Sequence, residues 1–169
     1  MGVGKSTIGK KLAARLGVDF IDCDHELERR MGVSVNTIFD IEGESGFRLR
    51  ETRLLEELAA NPCGVVATGG GVVTQAINRD ILKQQPRVLY LQAPSELLWT
   101  RLRYCKNRPL LQTKNPRGRL NALLRERDPL YREVASDIIH VVRGPANQLV
   151  RKIEHILDKS VPESLTQNN

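Results

Sequence analysis

The sequence predicts an α/β protein, a parallel sheet with helices on both faces. Three observations carry that prediction. The short apolar runs "DFID", "CGVVAT", "RVLYLQA" and "DIIHVV" alternate with segments whose apolar residues recur every three or four positions. None of the runs approaches the roughly 18 consecutive apolar residues of a membrane helix. The glycine-rich stretches stand just before a helix or just after a strand, where ligands of parallel sheets bind.

Taken in order, residues 5–16 read as a helix, with Ile8, Leu12 and Leu16 on one face and Gly17 as its stop. "DFID" follows as a strand. Residues 26–31 and 34–41 are helical, and residues 46–60 carry Leu54, Leu55 and Leu58 as an apolar face. "CGVVAT" is a short strand that runs into three glycines. Residues 77–83 form a helix, "RVLYLQA" a buried strand, and Ser95 the N-cap of "ELLWTRLR". Regularity then weakens over residues 107–118. A helix over 119–132, broken near its end by Pro129, the strand "DIIHVV" and a last helix opened by Pro145 complete the pattern. One domain spans residues 1–160, and residues 161–169 read as a disordered polar tail.

Composition narrows the function classes. The 169 residues are enough for one self-sufficient core. Cys23, Cys63 and Cys105 are odd in number and widely spaced, which indicates neither a disulfide framework nor a zinc site and points to a reducing cytoplasm. The N-terminus lacks the layout of a signal peptide. Net charge is +6, yet residues 101–132 hold eight Arg and two Lys against Glu126 and Asp128, a local +8 on a remainder of −2. Such a segment suits nucleic acid, an anionic surface or a polyphosphate. Aromatics for base stacking are scarce, and Tyr104 and Tyr131 are the only two in the segment. The expected state is a cytoplasmic monomer that binds small molecules, with neither nucleic acid nor membrane as partner.

The chain opens "MGVGKST". Against G-x-x-x-x-G-K-[ST], Gly4, Lys5 and Ser6 fill the last three positions, and the first glycine would fall two residues before Met1. Gly2 and Gly4 let backbone N–H groups curl around phosphate oxygens, and the helix beginning at Lys5 aims its positive end at them. Lys5 would bridge the outer phosphates and the Ser6 hydroxyl would ligate Mg²⁺; Thr7 is a first-turn helix residue. The plain alternative is a glycine-rich tail running into a helix. A phosphate loop is fed by a buried strand, so the first strand is expected to be missing from this chain, the natural protein starting about 8–12 residues upstream, the length of a short strand and the loop's start.

"IDCD" places Asp22 and Asp24 two apart, so a strand continuing through them would project both carboxylates to one side. One can hold Mg²⁺ while the other accepts the hydrogen bond, and the proton, of an attacking hydroxyl. The competing reading has Asp24 as a simple cap of a helix beginning near His25. "ATGGGVV" removes the side chains at Gly69, Gly70 and Gly71, more than a plain turn needs. Arg48 in "GESGFRLRE", at an expected helix start, and Arg127 in "RERDPLY" are each unremarkable alone. Arg108 in "NRPLL" stands in the least regular, most basic stretch, as a lid over ATP requires.

These residues resemble the shikimate kinase family, in the nucleoside-monophosphate-kinase-like branch of phosphate-loop folds. The resemblance rests on "GVGKSTIGKKLA", "DCD", "GFR", "ATGGG", "NRPLL" and "RDPLYREVA", in the family's order, over nearly the whole chain. It implies ATP- and Mg²⁺-dependent phosphorylation of the shikimate 3-hydroxyl, a step of chorismate and aromatic amino acid biosynthesis. It also implies a lid over residues 103–116. Lys5 and the loop, Gly2, Val3, Gly4, Ser6 and Thr7, would hold the ATP phosphates, with Ser6 and Asp22 on Mg²⁺. Asp24 would bind the substrate hydroxyls and act in catalysis with Lys5 and Arg108, the lid arginine. Arg48 and Arg127 would grip the shikimate carboxylate and Gly70 would offer its backbone. Arg101, Arg143 and Pro145 would flank adenine. A related hydroxy-acid kinase, such as one for gluconate, a non-catalytic truncated product and a nucleic-acid module are the alternatives.

Overall fold

Residues 2–61, 64–103 and 113–158 are described by a computed structural model. The first helix, α1 (Lys5–Leu16), follows Gly4 at φ 98° and buries Ile8, Gly9, Leu12 and Ala13; Ile8 and Leu12 follow the expected four-residue spacing, whereas Leu16, in the last turn, is exposed. Behind it come β1 (Phe20–Asp22), α2 (Cys23–Met31), α3 (Val35–Ala60) and β2 (Val65–Ala67). A 3₁₀ turn (Val72–Thr74), α4 (Ala76–Lys83), β3 (Leu89–Gln92), α5 (Ser95–Leu102), α6 (Pro116–Val134), β4 (Asp137–His140) and α7 (Ala146–Asp158) follow. The α/β class is thus the one expected.

The strands form two parallel pairs. β1 lies beside β2, with Phe20 opposite Val65 and Asp22 opposite Ala67. β3 lies beside β4, with Leu89 opposite Asp137 and Gln92 opposite His140. Among the described residues no ladder joins the pairs. A mostly apolar cavity of about 480 Å³ runs between them, walled by Val65–Ala67 of β2, Leu89–Leu91 of β3 and faces of α1, α3, α6 and α7. The buried apolar residues accordingly fall into four clusters: around Val3, Leu98 and Leu120; around Leu12, Ile139 and Val150; around Leu27, Ile38 and Leu54; and around Leu55, Val73 and Leu82.

Several local expectations are corrected. The strand does not continue through Asp24. It ends at Asp22, whose Oδ1 accepts the N–H groups of Asp24 at 3.1 Å and His25 at 3.4 Å, so Asp22 is the N-cap of α2, the role Asp24 had as the competing reading. The two helices expected over 34–41 and 46–60 are one helical run interrupted at Gly43, at φ 70° and ψ −177°. Arg48 therefore lies within the run and not at its start. Ser95 is the first residue of α5, and the cap position falls to Pro94, whose carbonyl accepts from Leu97 and Leu98. Pro129 does not break α6, which continues to Val134. Leu130, Tyr131 and Val134 beyond it pack on Val72 and Val73, which offsets the roughly 3 kcal/mol that an interior proline costs. "RVLYLQA" forms its strand, but all four residues of β3 are only half-buried. Cys63 and Cys105, the lid stretch over 104–112 and the tail over 161–169 lie outside the described residues.

Gly64, at φ 59°, enters β2 with the Asp19 backbone in the space its Cβ would take, only 2.8 Å from Asp19 N. Asp19 O is also the acceptor for Val65 N at 2.8 Å, the bond that starts the β1–β2 ladder. Gly64→Ala is expected to cost about 2 kcal/mol or more, from left-handed strain plus that overlap. Urea denaturation monitored by circular dichroism measures it.

Candidate functional site

Two glycines and a lysine build the first part of the site. Gly2 at φ 69° and Gly4 at φ 98° turn the chain into α1, whose N-terminus has no side-chain cap. Its first N–H groups are therefore available to an anion, and the helix dipole favours one there. Lys5 is the first helical residue. Arg101, from α5, donates from Nη1 to the Val3 carbonyl at 2.8 Å and the Gly2 carbonyl at 3.4 Å, so it braces the loop. A second cavity of about 550 Å³ runs from Gly2, Val3, Gly4 and Thr7, past Arg101, to Gly144 and Pro145. Arg143 is exposed beside it and does not line it.

The Ser6 hydroxyl donates to Asp22 Oδ2 at 2.5 Å, joining the phosphate loop to the end of β1. Both are hard oxygen donors. Among the described residues no cluster of three or more His, Cys, Asp or Glu could hold a metal. Mg²⁺ takes one or two protein oxygens, with phosphate oxygens and water completing its shell, so this pair has the donor chemistry that the ion uses beside a nucleotide.

The second part of the site is built on the turn after β2, where each glycine of the triplet meets a different group. Gly69 lies against Glu51 and Asp24: a Cβ there would overlap Glu51 Oε1 and stand 3.1 Å from Asp24 Oδ1. The Gly70 carbonyl accepts from Arg127 Nη1 at 3.1 Å and from the Tyr131 hydroxyl at 2.5 Å. Gly71 has the Arg48 guanidinium in the space its Cβ would fill. Asp24, Arg48, Gly70 and Arg127, from three helices and a turn, thus meet in one place. Arg108 lies outside the described residues.

Burial sharpens the electrostatics. Arg48 and Glu51 are 6% and 3% exposed, and Arg48 Nη1 donates to Glu51 Oε2 at 2.6 Å. Burial alone would lower the Arg48 pKa, but the charge and hydrogen bond of Glu51, with help from Glu44, hold it above its ordinary value. Burial raises the Glu51 pKa, and Arg48 pulls the other way. Glu51 Oε1 and Arg127 Nε are buried with no hydrogen-bond partner. Each costs about 1–3 kcal/mol while it stays unpaired.

Glu51 and Tyr131 escaped the sequence reading. The signal was there: Glu51 is three residues after Arg48 and Tyr131 four after Arg127, so each shares a helix face with its arginine. Burial raises the Tyr131 pKa, which keeps the phenol a donor toward Gly70. Its ring stacks on Tyr90 at 4.8 Å between centroids. Tyr90 and Gln92 of β3 and Arg132 of α6 all donate to Asp128, pinning "RDPLY" to the sheet.

The family profile described as "Shikimate kinase" matches residues 1–158. The chain belongs to the shikimate kinase family. A shikimate kinase of Aromatoleum aromaticum is 53% identical over 154 residues, 91% of this chain and 88% of that one. The Acinetobacter baumannii shikimate kinase solved in complex with shikimate superposes with a TM-score of 0.91 at 51% identity, covering 95% of this chain and 90% of that one. The shikimate kinase of Bacteroides thetaiotaomicron gives 0.83 at 32% identity, covering 94% of each. The phosphate-loop kinase fold expected from the sequence is therefore the observed one.

Buried Cys23 lies between Asp22 and Asp24. Burial first, then the charges of Asp24, Glu51 and Asp22, push its thiol up to about 12. At pH 8 almost no thiolate forms, so with Cys63 and Cys105 changed to serine the native protein should react with a disulfide reagent about 10³-fold more slowly than the unfolded chain. Absorbance of the released thiolate measures both rates.

Proposed function

We propose that the protein transfers the terminal phosphoryl group of ATP to the 3-hydroxyl of shikimate, giving shikimate 3-phosphate and ADP. One observation carries the reading: Asp24, Arg48 and Arg127 converge on the Gly69–Gly71 turn, in a chain of the shikimate kinase family. Shikimate is a carboxylate with three hydroxyls. Arginine forks suit the acid, and an aspartate suits the hydroxyls.

The new bond joins the substrate oxygen to the phosphorus as the phosphorus–oxygen bond to ADP breaks. Asp24 orients the attacking hydroxyl and takes its proton. Lys5 and the N–H groups at the start of α1 hold the outer phosphates, and Arg108 of the lid neutralises the transferring group. Ser6 and Asp22 are the residues that would hold Mg²⁺, and that ion would offset negative charge on the phosphate oxygens. Arg48 and Arg127 grip the carboxylate, with Glu51 fixing Arg48 and Tyr131 fixing Gly70. The cavity from the loop to Pro145 takes the adenine side of the nucleotide, with Arg101 in its wall and Arg143 at its rim. The reading places the enzyme in aromatic amino acid biosynthesis, as a cytoplasmic monomer. No described helix is long and apolar enough to cross a membrane.

A coupled ADP-release assay over shikimate, gluconate and related hydroxy acids tests the reading. Turnover should depend on shikimate, and preference for gluconate would overturn it. Lys5→Ala should lower kcat about 10²–10³-fold, the scale for a lost donor to transition-state charge. Asp24→Asn should abolish turnover while calorimetric ATP affinity stays within about twofold, because the carboxylate acts on the acceptor and not on the nucleotide. Tyr131→Phe removes one hydrogen bond to Gly70, so the shikimate KM should rise about 2–10-fold while kcat and the ATP KM move less; steady-state kinetics with each substrate varied separates these parameters.

A further inference from the structure

Arg48 is held by two carboxylates of unlike character. Its Nη1 donates to Glu51 Oε2 at 2.6 Å, and the Glu51 side chain is only 2% exposed. Nη2 and Nε, the other edge of the guanidinium, donate to Glu44 Oε1 at 3.0 and 3.3 Å, and the Glu44 side chain is 51% exposed. Two further groups flank the cation. Gly71 lies against the guanidinium where a Cβ would stand, and the buried Phe47 ring has its centroid 5.3 Å from Arg48 Cζ. Of these four neighbours only Glu44 is exposed. A ligand from solution therefore reaches the Nε–Nη2 edge by way of the place that Glu44 holds.

The hold of Glu44 is the looser of the two. It serves both nitrogens through one oxygen, whereas Glu42, on the other side of the break at Gly43, gives Arg50 both oxygens at 2.6 and 2.7 Å. A ligand carboxylate that brings two oxygens to the Nε–Nη2 edge makes the stronger, parallel pair of bonds. Arg48 does not depend on Glu44 for its charge. Burial works against the cation, and of the two carboxylates that sustain it Glu51 contributes more than Glu44. Charge balance points the same way. Around the glycine turn two arginines, Arg48 and Arg127, stand among three carboxylates, Asp24, Glu51 and Glu44. An entering anion meets a net negative charge while Glu44 is in place and a balanced group once it has left. Half in solvent, the Glu44 carboxylate regains its hydration when it swings out, so leaving costs little.

We infer that Glu44 is a resident stand-in for the substrate carboxylate: it holds the Nε–Nη2 edge of Arg48 and yields that edge, by exchange, to an incoming acid. The inference rests on the proposed reading that Arg48 grips the carboxylate of shikimate. Affinity then reflects the difference between two carboxylates competing for one edge, so Glu44 lowers it. A hydroxylated ligand with no acid group cannot make the exchange, and Glu44 thereby favours acids over neutral polyols.

Isothermal titration of shikimate into the wild-type chain, Glu44→Ala and Glu44→Gln tests it, each in acetate and in chloride at equal ionic strength. In chloride both variants should bind shikimate about 2–5-fold more tightly than wild type, the scale of one competing ion pair removed. Acetate should weaken shikimate binding more in Glu44→Ala than in wild type, because it fills the vacated edge. Glu44→Gln keeps the side-chain volume and decides the case if circular dichroism shows Glu44→Ala to be misfolded. Affinity that is unchanged or lower in the variants overturns the inference. So does acetate that restores affinity to Glu44→Ala, which makes Glu44 a support of Arg48 and not a competitor, and so does a gain with no added sensitivity to acetate. Wild-type protein that binds no shikimate overturns the proposed activity and this inference with it; wild-type binding with no gain in the variants overturns the inference alone.

Discussion

The close approach of side chains to the Gly69–Gly71 backbone is the constraint on which the site depends. Arg48 occupies space that a Cβ on Gly71 would claim, and Glu51 does the same at Gly69. Between them, Arg127 and Tyr131 hold the Gly70 carbonyl. The turn is thus a template that gathers α2, α3 and α6 onto the end of β2. Buried cations close together are costly, and here Glu51 lies within hydrogen-bonding distance of Arg48 while the peptide dipole at Gly70 receives Arg127. The result is a cluster in which two arginines and two carboxylates are held in fixed orientation around one turn.

Asp22 is the second point where structure and chemistry meet. Its carboxylate caps α2 with one oxygen and takes the Ser6 hydroxyl with the other. Ending the strand there, one residue before Cys23, turns Asp24 off the sheet and into the first turn of a helix. The two aspartates therefore do not share a strand face. One accepts the Ser6 hydroxyl beside the start of α1 while the other reaches the glycine turn. That divergence comes from a helix cap rather than from alternation along a strand.

Much of this was legible in the residues. The helix over 5–16 was set by its four-residue apolar spacing and its flanking glycines, and α1 has those bounds. Local patterns misled where tertiary packing outweighed them. Pro129 reads as a helix end, yet the burial of Leu130, Tyr131 and Val134 carries α6 past it. Glu51 and Tyr131 look like ordinary helix residues: spacing puts each on the helix face of its arginine, but nothing nearby in sequence shows that the pair will be buried against a turn from another part of the chain.

By itself the sequence determined the α/β class, the phosphate loop and the identities of Asp24, Arg48, Gly70 and Arg127 as groups of the site, because periodicity, glycine placement and charge are local properties. Only the tertiary structure decided which of them touch. Asp24 to Gly69, Arg48 to Gly71 and Arg127 to Gly70 are contacts between segments 20 to 60 residues apart, and their energies depend on burial that no local window contains. The separation of the strands into two pairs around an apolar slot belongs to the same class. Strand pairing joins distant backbone groups, and only the folded arrangement reveals which edges are left facing each other.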